Sequence, residues 1–498
     1  MYIITEKVTF VLLIHKICIM CNSVYRFIQL FVVFTVVGVI SMTSVRAQGL
    51  RTSYFMDNVP IRLKMNPAFQ PMKGFFSIPV IGSLGVMASS NSLSVKNFKD
   101  ILDDKNGFLS QKFINNLEKD NTMTIDFNTD VISLGFYTGK DFWTINMGAR
   151  AIINASIPKT MFEFARMSSL NIMNETYDIR NIEINADIFS EIALGYSREV
   201  SDGFYIGGRA KALIGLGNLK AKIERIYANL PDAESSINNG ELPENVTTWE
   251  VETKGRLEAS MKGLELITDG TEGYVDDVDF DKFGISGFGF GLDLGASLEM
   301  INNLHISAAI LDLGFISWTK SSSQVAVANE KFNYGTVIQD DALANLDPND
   351  YENWSEEDKQ KLEQYLQENS STILDYDLFR LRKEEAEGRT TSLRSTLNLG
   401  AEYTFWNDRL GIGLLSSTQF VSPKAYSELT LSANFRPGNA FGASVSYSFL
   451  RGKTVGLGLK LGPVFLGTDY IMTENIEDSK RLNAHIGISV GLGKKRVK

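Results

Sequence analysis

From residue 441 to 449 every second position is apolar (Phe441, Ala443, Val445, Tyr447, Phe449), and the four between are Gly442, Ser444, Ser446 and Ser448. Period-two alternation of this kind predicts a strand with one greasy and one polar face. The pattern recurs, and strands are expected at 482–492, 464–472, 453–461, 425–435, 410–417 and 391–405. Further upstream it marks 304–320, 284–301, 204–217, 186–197, 142–155, 124–137 and 75–90. With 441–449 these make about fourteen strands, within a range of 12 to 16, most near the roughly 9 to 11 residues that a tilted strand needs to cross a bilayer. The fold class expected is all-β, a transmembrane antiparallel barrel.

Connection lengths support this, because outer-membrane barrels alternate short periplasmic turns with longer external loops. Short turns rich in Gly, Pro and Asn fall at 138–141, 197–203, 302–303, 406–408, 436–439 and 462–463. Between them come large excursions at 91–123, 156–185, 218–283 and 321–389. An even strand count then places both termini in the periplasm. Residues 249–267 also alternate in places and are read as half of an external hairpin, and 355–387, rich in Glu, Lys, Leu and Gln, as one or two surface helices.

Charge sharpens the two-faced reading, since a midplane Arg or Lys facing lipid costs about 2–4 kcal/mol. Arg209, Lys211, Asp293, Glu299, Arg394, Glu402, Glu428 and Lys460 all oppose the apolar parity of their strands, which makes them candidate lumen-facing charges. One strand slips register: Leu304, Ile306, Ala308 and Ile310 are even, but Leu311, Leu313 and Phe315 are odd. A β-bulge between Ile310 and Asp312 restores the parity and turns Asp312 to the lumen, where a bracing ion pair is favoured over a transport role.

The first 47 residues carry a basic start (Lys7, Lys16, Arg26), an apolar run and small residues ending at Ala47. That is the layout of a secretory signal, with the start at Met1 or Met20. The alternative, an N-terminal anchor, is disfavoured because the run is shorter than the roughly 20 residues that span a bilayer. Both cysteines, Cys18 and Cys21, fall inside this leader, so thiolate metal sites and disulfides are not expected in the exported chain. Removing the leader takes away four basic residues (Lys7, Lys16, Arg26, Arg46) and one acid (Glu6), moving the formal charge from -10 to -13 and arguing against nucleic acid as a partner.

Catalytic motifs are weak. Gly487-Ile488-Ser489-Val490-Gly491 fits the G-x-S-x-G pattern but sits in a strand with no histidine after it. His305 and His485 begin strands on the polar face and suit hydrogen bonding better than catalysis or metal ligation. The acidic run 276–281 lacks the central Gly and distal Glu of a calcium loop. No enzyme activity, cofactor or metal is expected.

Asn66-Pro67-Ala68-Phe69-Gln70-Pro71 followed by Phe75-Phe76-Ser77-Ile78-Pro79-Val80 resembles the start of a Bacteroidetes outer-membrane barrel family of unassigned function. So do Gly289-Phe290-Gly291-Leu292-Asp293-Leu294-Gly295-Ala296 and Leu311-Asp312-Leu313-Gly314-Phe315-Ile316-Ser317-Trp318. That family is similar to the FadL-like hydrophobic-solute transporters, and the resemblance implies a fourteen-stranded barrel (75–498) with residues 48–74 as a plug carrying Asn66, Pro67 and Ala68. The expected function is passive transport of a small or hydrophobic solute, with a structural or secretion-accessory barrel as the alternative. The expected partners are outer-membrane lipid and glycolipid, the barrel assembly machinery, and a hydrophobic small molecule or secretion partner.

Overall fold

A computed structural model describes residues 50–493 apart from 58, 80–81, 95, 98–109, 167–174, 231–247, 269–272, 302, 336–354, 356–380, 421–424, 439, 450–452 and 472–478. The expected signal segment and most of the expected surface helices lie outside the described residues.

In chain order, β1 (Gly74–Ser77) and β2 (Leu84–Ser90) share the first wall position, followed by β3 (Asp120–Thr138), β4 (Asp141–Pro158), β5 (Glu175–Ser201) and β6 (Phe204–Leu230). The chain then leaves the wall for β7 (Thr248–Met261) and a separate hairpin of β8 (Leu264–Thr268) and β9 (Val275–Phe280). It returns as β10 (Gly287–Ile301) and β11 (Leu304–Trp318), and departs again for β12 (Ser323–Gly335) and β13 (Arg382–Glu384). The wall is completed by β14 (Arg389–Ser392) with β15 (Thr396–Phe405), then β16 (Leu410–Gln419), β17 (Tyr426–Phe435), β18 (Phe441–Ser448), β19 (Thr454–Leu461), β20 (Val464–Ile471) and β21 (Arg481–Leu492). Every pairing is antiparallel, and β21 closes on β1 and β2 through Gly74↔Leu492 and Leu84↔Ile486, giving a fourteen-strand barrel with no free edge.

The faces are inverted relative to a soluble protein. Ile145, Ile192, Leu194, Phe288, Phe290, Leu294, Leu399, Ile412, Leu431, Val445 and Leu457 stand exposed on the outside, while Asn146, Glu191, Arg209, Asp293, Asn398, Ser432, Asn434, Ser444 and Ser446 are buried on the inside. Backbone closed upon itself leaves no unpaired amides in hydrocarbon, and the outward alkyl groups match lipid, so this is a transmembrane β-barrel. At the short-turn end, Trp143 packs on Tyr196, Tyr403 on Phe405 and Phe435 on Phe441, forming an aromatic rim. No described helix is long and apolar enough to cross a membrane.

Several expected boundaries move. Strand β5 runs to Ser201, so the turn expected at 197–203 shrinks to Asp202 and Gly203, whose φ of +69° needs a glycine. Strands β5 and β6 also continue well past 185 and 217, where loops were expected, because the inward positions there are polar and charged and hide the alternation. The outer half of β6 pairs with β7, which pairs with β12, which pairs with β13. Residues 249–267 are thus divided: 249–261 lie in β7, part of a five-stranded crown of β5, β6, β7, β12 and β13 standing beyond the wall, and 264–267 lie in β8 of the separate hairpin. Residues 382–384, inside the stretch expected to be helical, form the crown's last strand. Chain 391–405 is not one strand either, since it breaks between Ser392 and Thr396.

The first wall strand is interrupted. Ser77 pairs with Ser133 and Ser489, but Leu84, seven positions on in the chain, pairs with Thr129 and Ile486, only four and three positions away. The surplus backbone folds inward: a Cβ on the inward-facing Gly487 would stand 3.0 Å from the Gly82 carbonyl oxygen. The facing strand β3 slips register at the same level, between Asp130 and Ile132.

Candidate functional site

The interior is filled by the chain's own N-terminal segment. Two short 3-10 turns, Arg51–Ser53 and Pro60–Lys64, fold residues 50–73 back and forth across the lumen. Proline opens the second turn, where a missing amide costs nothing. Tyr54, Phe55, Leu63, Met65 and Phe69 cluster with Phe75, Phe142 and Leu415 of the wall, and Leu50, Met56, Val59 and Ile61 with Phe465. These inward apolar side chains of the wall are the seats of the segment.

Asn66-Pro67-Ala68 rests against β6, β10 and β11. Asn66 Nδ2 donates to the carbonyls of Ala296 at 3.1 Å and Ala308 at 3.3 Å, and Oδ1 accepts from the Ala68 amide at 2.9 Å. The contact requires glycine beneath it: a Cβ on Gly295 would stand 2.1 Å from Asn66 Oδ1, and one on Gly207 would stand 2.2 Å from the Pro67 carbonyl oxygen.

Polar tethers hold the segment elsewhere. The Asp469 carboxylate accepts from the Arg51 amide at 3.0 Å, the Thr52 amide at 2.9 Å and Thr52 Oγ1 at 2.6 Å, satisfying free amides at the start of the first turn. Arg51 also pairs with Glu428 at 3.4 Å, and Lys64 pairs with Asp130. Asn398 donates to the Met65 carbonyl at 3.0 Å. Arg436 bridges Glu402 at 3.1 Å and Asp57 at 3.4 Å, and Asp57 also pairs with Arg62.

Burial acts to raise the Asp57 pKa, but the Arg436 and Arg62 guanidiniums outweigh it and hold the carboxyl at about 2, against an ordinary 3.8. A depressed pKa stabilises above the unfolded value and loses its contribution as pH falls through the folded one. The Asp57 clamp is therefore expected to be constant from neutral pH to about 3.8 and to weaken between 3.8 and 2. Comparing segment release in the parent and in Asp57→Asn over that window checks this, because the difference between them must close toward pH 2.

Beside the segment, β4, β5, β6, β10 and β11 carry a buried network of three cations and three carboxylates, none more than 7% exposed: Arg150, Arg209, Lys211, Glu191, Asp293 and Asp312. Arg209 meets Asp293 at 3.0 Å and Glu191 at 3.6 Å, and Arg150 meets Asp312 at 2.9 Å and Glu191 at 3.0 Å. Lys211 sits between Asp293 and Asp312. The register of β10 against β11 shifts between Leu292 and Leu294, and Asp312 adopts φ +56° there, so the bulge read from the parity slip is present and aims its carboxylate inward. The charges balance, which is what such burial demands. Toward the long-loop end the same strands supply an apolar layer of Ile152, Phe189, Leu213, Ile316 and Trp318.

The remaining sequence candidates scatter. Arg394 pairs with Asp187 at 3.5 Å near the crown. Glu299 is half-buried at the short-turn rim, where its amide donates to the Gly203 carbonyl at 2.9 Å, and Lys460 is half-buried opposite Gly442. His485 is buried beside Phe465, and His305 lies in register with Glu402. Ser489 is a mid-strand residue paired with Ser77, and 276–280 belong to β9. Among the described residues no group of His, Cys, Asp and Glu is arranged to hold a metal. Parity missed Arg150 and Glu191, and with them the tethers Arg51, Asp57, Lys64, Asp130, Arg436 and Asp469.

A void of about 10 Å³, room for about one water, lies between residues 60–64 and the wall at Ser77, Ser83, Asp130, Asn146 and Arg209, next to the broken first strand.

These features define a transmembrane β-barrel whose lumen is occupied by its own N-terminal segment. The chain belongs to the family of unknown function DUF5723, whose model matches residues 67–469. No curated protein matches it in sequence. Among solved structures it is similar to the TodX deltaS2S3 mutant monoaromatic hydrocarbon channel, at 10% identity over 91% of this chain and 96% of that one with a TM-score of 0.39. It is also similar to a FadL homologue from Pseudomonas aeruginosa (9% identity, 90% and 96% covered, TM-score 0.34). The translocator domain of the autotransporter NalP from Neisseria meningitidis is a third (7% identity, 89% and 99% covered, TM-score 0.32). At such identity and overlap none of the three assigns this chain a solute.

Proposed function

We propose that this protein is a passive conduit for a small or hydrophobic solute in the outer membrane of a Gram-negative bacterium, with residues 50–73 as its gate. Its short turns and both termini face the periplasm, and the barrel assembly machinery inserts it. The observation that carries the reading is the segment's mode of attachment. Besides its apolar seats, it is bound to the wall by discrete ion pairs and hydrogen bonds, at Asp469, Glu428, Asp130 and Arg436, and one of these, Lys64 to Asp130 on β3, lies beside the wall strand whose ladder is interrupted. Contacts of that kind can let go without unpairing the barrel, and the broken ladder beside the Lys64–Asp130 pair offers hydrophobic solutes a way in from the lipid. Deleting residues 50–70 tests it: the truncated barrel conducts in planar bilayers and admits solute into liposomes, and the intact chain does not. A truncation that keeps its folded, heat-modifiable gel mobility yet stays silent overturns the reading. The second reading, a surface-interaction barrel, is favoured by the crown of β5, β6, β7, β12 and β13, and silence of the folded truncation would transfer the role to that sheet.

A further inference from the structure

The hairpin β8–β9 does not close over the lumen but packs on the outer face of the crown's base, tied to the strand at Arg382–Glu384 by the Val275 amide donating to the Leu381 carbonyl at 2.8 Å and the Lys383 amide donating to the Gly273 carbonyl at 3.0 Å. One of its faces joins an apolar cluster in which Leu264 packs with Ala186, Leu219, Ala259 and Met261, against which Ile153, Val278 and Phe280 lie. Ala186 and Leu219 alternate with Asp187 and Asn218, which bond to each other on the inner face, so the cluster is on the outer one. Below the hairpin, the connector 281–286 descends to β10 and is pinned at its foot. The Ser286 amide donates to the Gly215 carbonyl at 2.8 Å, and Ser286 Oγ accepts from the Lys262 amide at 2.8 Å. Ser286 is fully buried, yet Phe283 and Ile285 are each 49% exposed, and the next large outward side chains down the strand, Phe288 and Phe290, belong to the lipid belt at 60% and 50%.

We propose that Phe283 and Ile285 are a membrane-seated foot: they sit in the acyl chains of the leaflet at the long-loop end, and the hairpin above them rides on the headgroups. The occupant follows from continuity, because the patch runs without a polar break into a surface already committed to lipid. Lys262 supports it. Its stem lies along the connector, with Cδ 2.8 Å from where a Cβ on Gly284 would stand, and its ammonium end is exposed. An aliphatic stem on apolar surface with the charge carried toward water is how lysine sits at a membrane interface. Glu265 and Asp279 pair on the hairpin's exposed face, opposite the face packed on the barrel, and on this reading stand above the headgroups with the rest of the hairpin. The foot fixes the height and tilt of the crown above the bilayer.

The test is depth-dependent fluorescence quenching of the full chain, with Cys18 and Cys21 changed to Ser, in bilayers of lipids brominated on the acyl chains. Single cysteines replace Phe283, Leu294 in the belt, or Asp279 on the hairpin, and carry a nitrobenzoxadiazole label. The label at Phe283→Cys is expected to lose as much emission as that at Leu294→Cys, and the label at Asp279→Cys to keep its emission. If Leu294→Cys is quenched and Phe283→Cys behaves like Asp279→Cys, the foot is wrong and the barrel stands. If Leu294→Cys is not quenched, the foot and the membrane-spanning barrel both fall.

Discussion

Replacing Asp312 by alanine is expected to cost about 3–5 kcal/mol of stability, the range for removing one partner from a buried ion pair. The magnitude follows from what is left behind. Arg150 loses its 2.9 Å contact and keeps the Glu191 carboxylate, and Lys211 loses the Asp312 carboxylate and keeps Asp293. Asp293 in turn already receives Arg209 at 3.0 Å and the amide of residue 312 at 2.7 Å. A network that was neutral then carries a surplus positive charge among groups that are at most 7% exposed. The midpoint of guanidinium unfolding in detergent, read as loss of the fast-migrating folded band, checks this. Asp312→Asn is expected to cost less, because its amide oxygen still accepts from one cation. Equal midpoints for the parent and Asp312→Ala would mean that water reaches this part of the lumen freely.

The second large effect is expected from Gly295→Leu. Gly295 lies mid-strand between two paired strands, opposite Gly207 and Ala309, so the ladder holds its backbone in place. Its new Cβ falls 2.1 Å from Asn66 Oδ1 and 2.9 Å from Pro67 Cδ. The wall is continuous and the segment is tethered, so the segment yields. Asn66 then loses hydrogen bonds to two wall carbonyls, and leaving such a buried amide unpaired costs about 1–3 kcal/mol. Trypsin reads the result: Arg51, Arg62 and Lys64 resist cleavage in the folded parent and become cleavable in the variant. Gly438→Ala is the control, since nothing stands within 4 Å of its added Cβ. A Gly295→Leu barrel with a fully protected segment would show that the segment does not depend on this seat.

How far the sequence reveals this molecule depends on which face a strand uses for what. In β16 to β21 the outside meets lipid and the inside meets small polar groups, so alternation is nearly strict and both the strands and the inward charges Glu428 and Lys460 are legible. In β4 the inside also carries Phe142, which packs on the segment, and Ile152, which packs under Trp318. Apolar residues on both faces blur the period, and Arg150 between them is missed. Phe75 and Phe76 show the same ambiguity, which is why the interrupted first strand reads as one run. In the outer halves of β5 and β6 the inner face holds Glu183, Lys220 and Lys222, which look like solvated loop. The Asp312 bulge is legible because it leaves a one-residue parity slip. The tethers are not: Asp469 to Thr52, or Arg436 to Asp57, join positions hundreds of residues apart, and no local period encodes them.

The molecule is a closed wall with alkyl groups outside and charges inside. Detergent dependence of the purified exported chain, followed on gels run with and without boiling, tests that most directly. The prediction is a folded form that needs detergent or lipid, migrates faster unboiled than boiled, and precipitates when detergent is withdrawn. A folded monomer that stays dissolved in plain buffer would contradict it.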